Sequence, residues 1–219
     1  MTVGSRASRL VNCVIVKTKT RSKKSSRELT RGSAESAEYG DGMAGFTAPE
    51  ITSLLESERE TERRFITEAA TEPDFPGGWP AGLLMAHIAS WRNRLRDSLI
   101  EVSRGLPVSG PPADIDAVND AQLARDARIS LDAAAAQAET RLADLLDLWA
   151  TLGDRPFSWF TAKTIGEALV RNSYVHPRRH LAEHYLERGD RARGDGLKSE
   201  TLAELRRVGA PESVISLWT

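Results

Sequence analysis

The sequence predicts an all-α protein, a four-helix bundle carrying a disordered N-terminal leader and a short C-terminal helical tail. Three observations carry that expectation. Apolar residues recur at steps of three and four along four long segments from Phe46 onward. Clusters of Pro and Gly separate those segments. No stretch shows the sustained alternation of a sheet. With 219 residues, 40% hydrophobic and 28% charged, the chain has enough apolar matter for one ordinary core.

Residues 1–43 stand apart. They hold nine Lys/Arg against four Asp/Glu, a net of +5, whereas the whole chain is at −1, so the remainder carries −6. The only apolar patch there is Leu10–Val16, a basic run follows it, and it makes a poor secretory signal. The segment reads as a disordered basic leader. A nucleic-acid-binding arm is the competing reading, and nucleic acid is not the expected partner of the chain as a whole. Met43 sits at the break in composition, which leaves open a translation start there. The expected divisions are 1–43 leader, 46–188 bundle, and 189–219 linker with a short helix.

The first helix is predicted from Thr47, a plausible N-cap, with Pro49 and Glu50 in its first turn, to about Ala70. Its middle, Glu56–Arg64, is so polar that it should lie mostly in water. Thr71–Pro80 holds three prolines and two glycines and must be a loop. Pro80 opens the second helix, on which Leu83, Leu84, His87, Ile88, Trp91, Leu95 and Leu99 recur until Gly105 stops it. A short helix covers about Ile115–Ala127. The third long helix carries a heptad-like seam, Leu131, Ala135, Ala138, Leu142, Leu145, Trp149 and Leu152, and ends at Gly153. Pro156–Phe160 reads as an aromatic loop. The fourth long helix is expected over Thr164–Arg188. A Gly/Asp/Arg linker to Gly196 and a small helix at about Ser199–Val208 close the chain.

The histidines carry the chemistry. The chain has four, at His87, His176, His180 and His184. At about 100° per residue, His180 lies about 40° from His176, and both continue the seam of Ile165 and Leu169. On the second helix His87 falls between Leu83 and Trp91. Three imidazoles are thus aimed at the interior from two helices. Two His at i and i+4 with a third from a facing helix can hold one divalent ion and leave coordination positions open. Neutral imidazole suits Zn²⁺, Ni²⁺, Fe²⁺ or Cu²⁺. Hydrogen-bonded core histidines are the plainer alternative. Pro177 can kink the helix and re-aim His176, in which case His184 would take its place beside His87 and His180. Cys13, the one cysteine, lies in the leader, so no cysteine nucleophile is available to the bundle.

Gly77-Gly78-Trp79 ahead of His87-Ile88-Ala89-Ser90-Trp91, together with Asn172-Ser173-Tyr174-Val175-His176-Pro177-Arg178-Arg179-His180-Leu181, resembles the DinB-like superfamily, closest to its ClbS/DfsB-type branch. Ile115-Asp116-Ala117-Val118-Asn119 resembles a short stretch that many members carry between helices two and three. The likeness covers roughly Thr47–Arg188. It implies an up-down-down-up bundle in which His87, His176 and His180 are metal ligands (Zn, Ni or Fe). It also implies action on a small molecule, either as a metal-dependent hydrolase or as a transferase using a low-molecular-weight thiol, in stress response or detoxification. The alternative it offers is a metal-free protective bundle that sequesters a reactive molecule. A cytoplasmic location, no membrane association and a homodimer fit the same picture. Asn172 is the expected polar neighbour of the site, and Trp91, Trp159 and Tyr174 are its expected walls. Limited proteolysis should remove about the first 40 residues quickly and leave the remainder intact.

Overall fold

The computed structural model describes residues 46–74 and 78–218; the expectations for the leader, including Cys13, fall outside them. The described chain is mostly helical. Its elements are α1 (Ala48–Ala69), α2 (Ala81–Ser103), α3 (Ile115–Asp126), α4 (Leu131–Leu152), β1 (Pro156–Trp159), β2 (Ala162–Thr164), α5 (Ile165–Val170), a π-helical turn (Arg171–Val175), α6 (His176–Glu187), α7 (Arg191–Arg207) and α8 (Glu212–Ile215). α2 packs along α4. α1 lies against α4 and against the rod formed by α5, the π turn and α6. α7 packs on α6.

Helix ends follow local chemistry. The Thr47 N–H donates to Glu50 Oε2 at 2.8 Å. The side chains of Asp114 and Ser130 accept from the N–H groups of Ala117 and Ala133, at 3.0 and 3.2 Å. α4 stops at Gly153, whose φ of 63° suits glycine. Gly82 lets the start of α2 press on the start of α4, since a Cβ there would sit 2.8 Å from the Ile129 carbonyl oxygen.

Four expectations are corrected. Pro156–Thr164 is not a plain loop: Phe157 and Trp159 point inward, Pro156 and Ser158 outward, and β1 pairs antiparallel with β2. The alternation spans only four residues, and the hairpin tip holds Phe160 at φ 53° where a glycine would be the usual signal. The fourth long helix is not continuous α-helix. Pro177 has no N–H, and the chain widens before it into the π turn, where the His176 N–H reaches the Arg171 carbonyl. The wheel that joined Ile165 and Leu169 to His176 therefore does not run straight. The tail forms a helix from Arg191, not from about Ser199. Gly194, which reads as a helix breaker, is the point of closest approach of α7 to α6: a Cβ there would lie 2.6 Å from Leu186 Cγ. Leu197, Leu205, Val214 and Trp218 join the same core as the long helices.

The fourth correction concerns α1. Its polar middle is not in water: Glu58, Thr61 and Glu62 are buried. Arg92 of α2, 0% exposed, makes a bidentate pair with Glu62 at 2.6 and 2.9 Å. The same two terminal nitrogens also reach the carbonyls of Ala138 (3.3 Å) and Ser173 (3.2 Å), while the Nε–H is buried without a partner. Ser173 lies four residues before Pro177, so Arg92 supplies the donor that the proline lacks. Arg178 of α6, also 0% exposed, donates to Glu58 at 2.8 Å and to the hydroxyls of Ser57 and Thr61 at 2.7 and 3.0 Å. Burial, and then the nearby Glu62 charge, hold the Glu58 carboxyl well above its ordinary value.

Removing one member of a buried pair leaves the other charge unpaired. Arg92→Met should cost about 3–5 kcal/mol in urea unfolding. The double variant Glu62→Leu/Arg92→Met should lose less than the single one, because no charge then stays behind.

Candidate metal centre

Three of the four histidines converge. His87 comes from the second turn of α2, and His176 and His180 from the first two turns of α6. Ring centroids are 5.2 Å apart for His87 and His176, 4.9 Å for His87 and His180, and 4.6 Å for His176 and His180. One nitrogen from each ring lies within 4.8 Å of the other two. The Nε2 atoms of His176 and His180 are 3.1 Å apart. Ligands sharing one Zn²⁺ at about 2.0–2.1 Å would stand about 3–3.5 Å apart, so the cluster is slightly wider than a closed site.

The outer nitrogens are held by neighbours. His87 Nδ1 is 2.9 Å from Gln122 Oε1 of α3. His180 Nδ1 is 3.2 Å from Glu183 Oε2, one turn on. Each contact places the proton on Nδ1 and leaves the Nε2 lone pair toward the cluster. His87 Nε2 is buried with no hydrogen-bond partner, and so is His176 Nδ1. Burial above all, then the positive charge of His180 when protonated, pushes His87 down to about 3; the same causes hold His176 well below its ordinary 6.5. Neutral imidazoles with free lone pairs are the form that metal ions require.

Aromatic rings wall the cluster. Trp79, half-buried, is 5.1 Å from His87 and stacks on His180 at 6.0 Å and 23°. Trp91 lies 6.2 Å from His176, and Phe160 at the hairpin tip lies 6.0 Å from Trp91. The Trp91 Nε1–H donates to Asn119 Oδ1 at 3.1 Å.

Of the other expected site residues, Trp91 is in place. His184 is outside the triad and packs edge-on to Phe65 at 5.1 Å, so it is not a substitute ligand. Asn172 donates to the Trp91 carbonyl at 3.4 Å and lies behind the wall. Tyr174 turns to the buried ionic network, donating to Glu204 at 2.5 Å beneath the Arg178 guanidinium. Trp159 stacks on Phe157 in the core at 6.2 Å. The π turn separates Asn172 and Tyr174 from the face that carries His176. Gln122 and Glu183 escape sequence reading. The signals available were an Asn/Gln pair three apart on a short polar helix and an acid three residues after His180.

Chelator-treated protein should lose stability on acidification. Unfolded histidine takes up a proton near 6.5, whereas folded His87 resists it down to about 3. The contribution is complete above about 6.5 and falls as pH drops through that window. His176 and His184 act in the same sense. Urea midpoints should fall between pH 7 and pH 4, and His87→Leu should flatten that dependence.

Among the described residues no helix is long and apolar enough to cross a membrane. No protein-family model matches the chain, and neither a curated protein nor a solved structure matches it.

Proposed function

We propose that the protein is a divalent-metal-binding four-helix bundle of the DinB-like type, with His87, His176 and His180 as ligands. The observation that carries this reading is the buried, unpartnered Nε2 of His87 in a cluster whose nitrogens lie within 4.8 Å of one another. An orphaned imidazole lone pair beside two others is costly unless a cation or a donor occupies the gap.

A divalent ion held there supplies Lewis-acid activation of a water or a thiol. The chain's own groups do the rest. Gln122 and Glu183 fix the ring tautomers of His87 and His180. Trp79, Trp91 and Phe160 offer an apolar wall to a small organic ligand and restrict water. The reaction class we propose is hydrolysis, or transfer of a low-molecular-weight thiol, on a small reactive molecule in detoxification. The second reading, a metal-free bundle that sequesters such a molecule, draws on the 3.1 Å approach of His176 and His180, which also suits a direct hydrogen bond between the rings.

Metal analysis of protein purified without a His tag or chelator separates the two. The expected result is one Zn, Ni or Fe per chain. Ala substitution of His87, His176 or His180 should reduce the content at least tenfold, and His184→Ala should change it little. Native protein without stoichiometric metal would leave the sequestering reading.

A further inference from the structure

α3 docks in an unusual way. Of its twelve residues only Asn119 and Gln122 are buried, and both are polar. A helix with no fully buried apolar side chain is held by its specific bonds more than by hydrophobic area. Both buried side chains bond to the metal cluster or its wall: Asn119 to Trp91 at 3.1 Å, and Gln122 to His87 at 2.9 Å.

The orientation of Gln122 is determined by what lies behind it. Its Nε2 donates to Asp126 Oδ2 at 3.4 Å. Arg125 grips the same carboxylate at 2.7 and 2.9 Å. A carboxylate only accepts, so the amide NH₂ faces Asp126 and the amide oxygen faces His87. That oxygen also only accepts, so His87 Nδ1 must carry the proton. The other tautomer would set a lone pair against the amide oxygen and weaken the anchor of α3. It would also place a proton on the nitrogen that faces His176 and His180.

We propose that Gln122 is a positioning residue for His87 and that, through it, the docking of α3 and the binding of a divalent ion are linked. The proposal rests on the metal reading given above. An ion at His87 Nε2 holds the proton on Nδ1 and so strengthens the bond that anchors α3. A docked α3 in turn keeps the Nε2 lone pair available. Linkage makes the two effects equal. Asp126 acts one step further back, by preventing the amide from turning over.

Zn²⁺ is the probe, added to chelator-treated full-length protein. Hydrogen exchange of the α3 amides, Ile115–Asp126, is compared with and without it. Exchange there should slow on zinc addition in the wild type. Gln122→Leu should weaken zinc affinity 10–100-fold and abolish the slowing, whereas the double variant Gln122→Glu/Asp126→Asn, which keeps an acceptor toward His87 and sets an amide donor against the new carboxylate, should restore both. With ¹⁵N-labelled histidine, metal-free wild type should show His87 as the Nδ1–H tautomer, and Gln122→Leu should show a mixture. A merely structural Gln122 would leave that spectrum unchanged. Stoichiometric zinc with unchanged α3 exchange would overturn the link alone. Failure to bind zinc would overturn the metal reading and the link together, and the wild-type measurement decides either case even if a variant fails to fold.

Discussion

The buried pair of Arg92 and Glu62 is the contact on which the rest of the structure depends. Two charges removed from water are costly unless the lone pairs and N–H groups around them find partners. Arg92 meets most of that need by reaching beyond its carboxylate with both terminal nitrogens, while its Nε–H stays buried without a partner. It binds α1 through Glu62, α4 through the Ala138 carbonyl, and the π turn through the Ser173 carbonyl. One side chain on α2 thereby ties three other elements to its own helix.

The last of those bonds explains how the chain accommodates Pro177. A proline inside a helix leaves a carbonyl one turn earlier without its donor. A buried carbonyl without a partner would be costly. Here the guanidinium fills the gap, so the π turn is stable and α6 starts cleanly at His176. His87 and Arg92 lie on the same helix, five residues apart. The contact that fixes α2 against the π turn also fixes the spacing of His87 from His176. Arg178 plays a parallel role one turn further on, tying α6 to α1 through Glu58 and closing on α7 through Thr201 and Glu204.

The histidine cluster is built against this frame from a different kind of part. Its inner nitrogens need freedom from hydrogen bonds, while its outer nitrogens need firm partners. Glu183, on the same helix as His176 and His180, and Gln122, from a separate short helix, meet the second need. Two Trp rings close the sides, and the hairpin tip packs on one of them, Trp91. His176 is the exception, since its Nδ1 is buried and unpartnered. Its position comes from the helix start and from the neighbouring rings, not from an outer hydrogen bond.

Much of this was legible in the sequence, and the division has a physical basis. Local signals were enough for the ends of α1, α2 and α4, because caps, Pro80, Gly105 and Gly153 act within a turn of where they stand. The i, i+4 relation of His176 and His180 is likewise a property of one helix, and the inward face of His87 followed from its apolar neighbours. Periodicity misjudged what tertiary contact decides. A polar stretch such as Glu58–Glu62 looks solvated until Arg92 and Arg178 arrive from other helices. Gly194 looks like a breaker until α6 is seen pressing on it. The alternation of Phe157 and Trp159 is too short to read as a strand alone. Gln122 belongs to the site only because α3 lies across α2, and no pattern within α3 carries that information. The sequence by itself determined a mostly helical chain with His87 on an apolar helix face and His176 and His180 one turn apart on another helix. Which polar groups meet them, and which charges are buried to hold the helices in place, depended on contacts between residues far apart in the chain, whose partners exist only once the helices have packed.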